Sequence, residues 1–190
     1  MFRRGFKTWA EQTAAAVRQQ LGLSDVSPLD PRELANHLDV PIVDVRELQD
    51  LPKEVLRRLI TQHSECWSAL TVTDGRHHLI VFNPAHSNAR INSDLMHELA
   101  HTLLDHEPSM MYVTPRSGIS LRTHNKQQED EANWLTGCLL LPRGALLHVR
   151  KRRTPEAEIC SRYGISAPML RFRLNATGVD VQLRRAASPT

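Results

Sequence analysis

The sequence predicts an α+β fold, and three observations carry that prediction. Two runs rich in β-formers, Trp67 to Thr73 and His77 to Phe82, flank Asp74-Gly75, a dipeptide that tolerates the positive φ angles of a tight hairpin turn. Two strong helical patterns follow, at about residues 93–105 and 127–141, with Pro108 and Pro142 near their ends. Residues 154–175 then carry the helix–glycine turn–helix spacing of a helix-turn-helix.

Each element has a local cause. Thr8 to Leu21 reads as an amphipathic surface helix. Asp30 can cap a short helix that starts at Pro31 and turns Leu34, Ala35 and Leu38 inward. Val40 to Val45 reads as a strand, and Leu51, Val55, Leu56 and Leu59 recur at helical steps within Leu51 to Ile60. Asn83-Pro84 ends the second hairpin strand. Ser93 or Asp94 can cap the helix that runs to Asp105, whose core side is Leu95, Met96, Leu99 and Leu103. Pro108 to Lys126 reads as a long irregular loop. In the last part, Thr154 caps with Pro155 at the first position, Gly164 ends that helix, and Ser166 caps the next, with Ile159, Ile165 and Leu170 inside. The expected organisation is a main domain over residues 1–142, a helical extension packed on it over 143–180, and a disordered tail over 181–190.

A chain of 190 residues with 41% apolar and 24% charged residues suits one ordinary domain with a real core and a small appended unit. Aromatic residues, at 5%, are too few for a surface built on stacked nucleobases. No apolar run nears the roughly 20 residues of a membrane span, so no membrane partner is expected. Met1-Phe2-Arg3-Arg4 starts like a signal peptide, but Glu11, Gln12 and Arg18 interrupt its apolar stretch. Cys66, Cys138 and Cys160 are odd in number and widely spaced, which points to buried or reduced thiols and a cytoplasmic location. The net charge of +3 hides an asymmetry: residues 143–190 hold ten Lys/Arg against three acids, and the rest of the chain fourteen against eighteen. The basic quarter could meet an acidic partner or nucleic acid.

The chemistry centres on His97-Glu98-Leu99-Ala100-His101. Positions i and i+4 of a helix share a face, so two imidazoles can meet one tetrahedral ion at about 2.0–2.1 Å. Glu98 sits one step round the helix, where its carboxylate can reach a water beside the ion rather than the ion itself. With ten His and eleven Glu in the chain, chance supplies only roughly 0.03 such matches. A third protein ligand is expected from the helix beginning near Gln127, which offers Glu129, Asp130 and Glu131. Glu129 and Glu131 are rivals that point some 200° apart round that helix. Asn133, one turn beyond Glu129, could hydrogen-bond a ligating imidazole. Tyr112, His106 and His124 are candidates to stabilise an oxyanion. His37, His63, His77, His78, His86 and His148 have no ligand spacing and read as ordinary residues.

The chain resembles the ImmA/IrrE family of metallopeptidases. The matching stretches are Ile80-Val81-Phe82-Asn83-Pro84, the His97 to His101 helix, and Glu129-Asp130-Glu131-Ala132-Asn133-Trp134-Leu135 leading into Leu139-Leu140-Leu141-Pro142. With their flanks they cover roughly residues 30 to 178. Ala100 stands where glycine is frequent, Trp134-Leu135 where Phe-Ala is usual, and Leu141 where methionine is common, and none of these departures removes a ligand.

This resemblance implies a zincin-like domain of the HExxH gluzincin type. Its metal ligands would be His97, His101 and Glu129, the last favoured over Glu131 by the family pattern, and its catalytic residue Glu98. One Zn2+ per chain, or another divalent transition metal, is the implied cofactor. The edge of the strand His77 to Phe82 would align an extended peptide across the metal. The implied activity is a site-specific endopeptidase, whose substrate in the family is often a helix-turn-helix transcriptional repressor. The rival is a DNA-binding regulator, resting on Arg150 to Arg153 and on Arg171 and Arg173 in the second helix of the pair. A helical cap with a solvated basic face explains the same residues and is preferred. A metal-dependent sensor that binds without cutting is a third reading, which the intact Glu98 disfavours.

Overall fold

The computed structural model describes residues 2–73, 77–106, 111–113, 120–122 and 125–187. In chain order the elements are α1 (Phe6–Gln20), α2 (Pro31–His37), β1 (Ile42–Asp44), α3 (Lys53–Ile60), β2 (Ala69–Thr73), β3 (His78–Phe82) and α4 (Asn88–Leu103). There follow β4 (Met111–Val113), β5 (Ser120–Arg122), α5 (Lys126–Leu140), α6 (Arg143–Lys151), α7 (Glu156–Tyr163), α8 (Ala167–Thr177) and α9 (Val179–Ala187). The fold is mixed α+β and helix-rich around a small three-stranded sheet, consistent with a zincin-like domain.

That sheet has the order β1-β3-β2. β2 and β3 pair antiparallel from Ala69↔Phe82 to Thr73↔His78, while the turn at Asp74-Gly75 lies outside the described residues. β1 joins the other side of β3 in parallel, Ile42↔Ile80 to Asp44↔Phe82. The interior position of β3 corrects one expectation: with β1 on one side and β2 on the other, it has no edge to offer a peptide. The edge strand beside the helices is β2.

α4 lies against β2, β3, α2 and α5. Leu95, Met96, Leu99 and Ala100 from α4 meet Ala132, Leu135, Cys138 and Leu139 from α5 in the centre of the core, all fully buried. A buried apolar side chain contributes about 1.5–3 kcal/mol, so the α4–α5 seam is a main source of stability and holds both helices in fixed register. α4 starts at Asn88, five residues before the predicted start, because Ser87 caps it and accepts from the Arg90 N–H at 3.4 Å. Ile91 then joins the buried face one turn before Leu95. α5 is capped by Asn125, whose side-chain oxygen accepts from the Gln127 and Gln128 N–H groups.

The region expected to be an irregular loop contains β4 and β5, paired antiparallel from Met111↔Arg122 to Val113↔Ser120. At α7 the cap position falls on Pro155 rather than Thr154, while Gly164 (φ 60°) ends that helix and Ser166 caps α8 by accepting from Met169 N–H, as its spacing predicts. The tail expected over 181–190 is helical as far as Ala187. Gly178 turns the chain at φ 63°, Val179 is fully buried, Leu183 packs one turn later, and Asp180 receives Arg150 Nε at 2.8 Å.

Two buried arginines tie the layers together. Arg18 of α1 donates to the carbonyls of Ser27 (2.9 Å), Ala14 (3.1 Å) and Leu139 (2.6 Å), and burial pulls its guanidinium down to about 10. Arg173 of α8 donates to Leu141 C=O at 2.9 Å and to Glu11 at 2.5 Å, and Glu11 also accepts from Arg143 N–H at 2.9 Å. Gly137 makes this close approach of α5 and α8 possible, since a Cβ there would stand 2.7 Å from Arg173 Cδ.

Candidate metal centre

The α4–α5 seam sets the geometry of the site. One face of α4 is consumed by the core, and the neighbouring face carries His97 and His101 one turn apart. α5 packs against it with Glu129 in its first turn, opposite the two histidines. His97 Nε2 lies 3.1 Å from His101 Nε2 and 3.2 Å from Glu129 Oε2, and His101 Nε2 lies 3.7 Å from Glu129 Oε1. One ligand atom from each of the three residues falls within 4.8 Å of the others. The three side chains are each a little over one-fifth exposed, so the cluster is sunk in the surface yet open to a small molecule or a chain segment.

Bonds of 2.0–2.1 Å to a tetrahedral ion set adjacent ligand atoms about 3.3 Å apart. The separations of 3.1 and 3.2 Å at His97 Nε2 lie close to that edge, and His101 Nε2 is 3.7 Å from the other carboxylate oxygen of Glu129. Two imidazole nitrogens and a carboxylate form a donor set suited to zinc, and three protein ligands leave the fourth position open. The residues therefore fit the metal that the sequence implies. Among the described residues, His97, His101 and Glu129 are the group with this character, and His37, His63, His77, His78, His86 and His148 lie outside it. His86, for one, bonds the Trp67 carbonyl at 3.0 Å beside Asn83, a structural position.

Glu98, on the step after His97, is buried and accepts a hydrogen bond from Thr71 Oγ1 at 2.5 Å. Its own carbonyl accepts from Thr102 Oγ1 at 3.3 Å. Thr71 belongs to β2, so the edge strand itself holds the Glu98 carboxylate. Twenty-seven residues separate the pair, and no periodicity in the sequence signals it.

The remaining sequence candidates fall elsewhere. Glu131, the rival ligand, turns away from the cluster: its Oε1 accepts from Gln127 Nε2 at 3.1 Å and its Oε2 lies 3.5 Å from His106 Nε2. His106, expected as an oxyanion candidate, instead backs His101, with the two Nδ1 atoms 2.9 Å apart. Burial lowers the His106 imidazole below its ordinary value, against the pull of the Glu131 carboxylate. Asn133 is exposed and makes no side-chain hydrogen bond among the described residues, so it does not orient an imidazole. The Tyr112 side chain and His124 lie outside the described residues.

The basic C-terminal quarter is partly spent inside the fold. Arg173 is fully buried, and Arg150 is paired with Asp180 at 2.8 Å and Glu156 at 3.8 Å. Lys151, Arg152, Arg153 and Arg171 are exposed. No described helix is long and apolar enough to cross a membrane.

The comparison with curated proteins gives no match. The family model described as the IrrE N-terminal-like domain, Peptidase M78, matches residues 39–175, a span that takes in the three-stranded sheet, α4, α5 and most of the C-terminal helices. On that match, which covers well over half of its length, the chain belongs to the IrrE N-terminal-like family of M78 peptidases, and its function is of the metallopeptidase type.

Proposed function

We propose that the chain is a zinc-dependent endopeptidase that hydrolyses a peptide bond in a regulatory protein, namely a helix-turn-helix transcriptional repressor. The observation that carries the reading is the convergence of ligand atoms of His97, His101 and Glu129 to within 4.8 Å of one another, with the Glu98 carboxylate held on the adjoining helical step. When bound, zinc supplies a Lewis acid that polarises a carbonyl and acidifies water.

Glu98 acts as the general base: it takes a proton from the attacking water and then delivers it to the departing amine. Thr71 donates to one carboxylate oxygen and leaves the other for that exchange. β2 supplies the alignment that β3 cannot. Asn83 N–H donates to Ser68 C=O at 2.8 Å, so the alternating ladder turns the backbone groups of Ala69 and Thr71 away from β3. An extended substrate segment can add there as a further strand, a few residues from the base. The three free cysteines, Cys66, Cys138 and Cys160, suit a reducing cytoplasm. The internal use of Arg150 and Arg173 supports the helical-cap reading of the C-terminal quarter over DNA binding.

The test is to incubate the zinc-loaded protein with a helix-turn-helix repressor from the same genome and follow both by mass spectrometry. Two product masses that sum to the repressor plus water support the proposal, provided that a chelator prevents them. An intact repressor with zinc at about one per chain argues for binding without cutting.

A further inference from the structure

We propose that His106 is a positioning residue. It accepts a hydrogen bond from the Nδ1–H of His101 and is itself oriented by Glu131, so that the relay Glu131–His106–His101 fixes the tautomer and aim of one metal ligand. The inference rests on the metal-binding reading given above.

The first support is a count of protons. His101 turns Nε2 towards His97 Nε2 (3.1 Å) and Glu129 Oε1 (3.7 Å). A neutral imidazole that offers a lone pair at Nε2 carries its proton on Nδ1. His106 Nδ1 stands 2.9 Å from that atom, and two N–H groups cannot face each other at that separation, so His106 Nδ1 is an acceptor. The proton of His106 is then on Nε2, and Nε2 faces Glu131 Oε2 at 3.5 Å. Glu131 Oε1 is in turn held by Gln127 Nε2 at 3.1 Å. Each donor in the series meets an acceptor, and the direction is set once His101 presents Nε2.

The second support is burial. The side chains of His106 and Glu131 are only 7% and 10% exposed, whereas the proposed ligands are two to three times as open. Desolvating an imidazole and a carboxylate is unfavourable unless they are paired, and the pair lies directly behind a ligand.

The third is the backbone that brings His106 there. His106 N–H donates to His101 C=O at 3.1 Å and Asp105 N–H to Thr102 C=O at 3.1 Å, the two bonds of a Schellman helix end. Asp105 takes the left-handed position at φ 52°, which most residues avoid. This turn folds the chain back so that the two rings stand 5.0 Å apart at 66°. The sequence shows His106 five positions after His101 but not this reversal.

The test compares His106→Leu, which fills the space without an acceptor, with His106→Asn, whose Oδ1 stands near the place of the imidazole Nδ1. Zinc affinity is read by chelator competition. The leucine variant should bind zinc about 10- to 100-fold more weakly, and the asparagine variant should recover most of that loss. Adding Glu131→Leu to His106→Leu should weaken binding less than twofold further, because Glu131 acts through His106. Nitrogen-15 spectra of the zinc-loaded wild type should show His106 protonated at Nε2 and bare at Nδ1, a readout that needs no variant. Equal zinc affinity in wild type, leucine and asparagine variants overturns the relay, as do losses that multiply in the double variant or a His106 protonated at Nδ1. A wild type that takes up no zinc fails at the metal site itself, and the relay falls with it; intact wild-type binding with unaffected variants sinks the relay alone.

Discussion

Replacing Arg173 by leucine should lower folding stability by about 3 kcal/mol. The figure follows from what the side chain touches. Its Nε–H bonds the Leu141 carbonyl at 2.9 Å in the sealed junction where α5 ends, and that acceptor would be left dry and unpaired, at about 1–3 kcal/mol. Its other bond, to Glu11 at 2.5 Å, joins α8 to α1 across most of the chain. Losing one partner of a buried ion pair costs about 3–5 kcal/mol. The two costs overlap, and two features bring the total below their simple sum: the Glu11 side chain is 27% exposed and can rehydrate, and Arg173 Nη1 has no hydrogen-bond partner among the described residues. For a chain of this length, about 3 kcal/mol corresponds to a fall in Tm of roughly 6–12 °C. The assay is urea unfolding followed by circular dichroism, with Arg171→Leu on the exposed neighbouring position as control, expected within about 0.5 kcal/mol of wild type. An Arg173→Leu protein as stable as that control would refute the reasoning and return Arg173 to the list of residues free to meet DNA.

Three further outcomes follow from the same structure. Glu129→Gln should weaken zinc binding far more than Glu131→Gln in a chelator competition, since Glu129 alone of the two joins the histidine pair; the reverse ranking would move the ligand. Burial pushes the Cys138 thiol up to about 12, so in the native protein an aromatic disulfide reagent should modify the exposed Cys66 first and reach Cys138 only on unfolding; rapid labelling of Cys138 at neutral pH would contradict the packing. Asp44 is raised by burial, but hydrogen bonds from the Arg46 side chain and backbone more than offset this and hold its carboxyl below the ordinary 3.8. Its folded pKa being the lower one, the stability it contributes is present above about pH 4 and is lost as pH falls through the folded value. The stability gap between wild type and Asp44→Asn should therefore narrow below about pH 4, and a gap that widens there would reverse the assigned sign.

Local signals in the sequence foretold local structure. Asp30-Pro31, Gly164 and Ser166 each mark a helix end where the structure has one, because capping is decided within a few residues. The spacing of His97 and His101 put two rings on one face for the same reason. What the sequence concealed is non-local. β1 reaches β3 across some forty residues, and this parallel pairing, invisible to periodicity, takes the β3 edge away. Ser93 and Asp94 are plausible caps by type, yet Ser87 wins because Ile91 has a core to enter. Residues 181–187 of α9 were expected as tail since Val179 and Leu183 are a thin apolar stripe, and the polar contacts that order it, Arg150 with Asp180 and Arg143 with Gln182, are made by α6. The approach of Glu129 to the histidine pair was expected from the family pattern, whereas the Thr71–Glu98 and His106–Glu131 contacts depend on a strand edge and a reversed helix end.

The central claim is that one residue of the seam performs proton transfer while its neighbours hold the metal, and Glu98→Gln separates the two. Glutamine keeps the shape of the side chain and can still accept from Thr71, but it cannot take a proton from water. Zinc content by elemental analysis and repressor cleavage by mass spectrometry should be measured on the same preparation, wild type beside variant. The account predicts zinc at about one per chain in both, with cleavage reduced by two or more orders of magnitude in the variant, the scale of a lost general base. Cleavage by Glu98→Gln at the wild-type rate, with zinc bound, would contradict it.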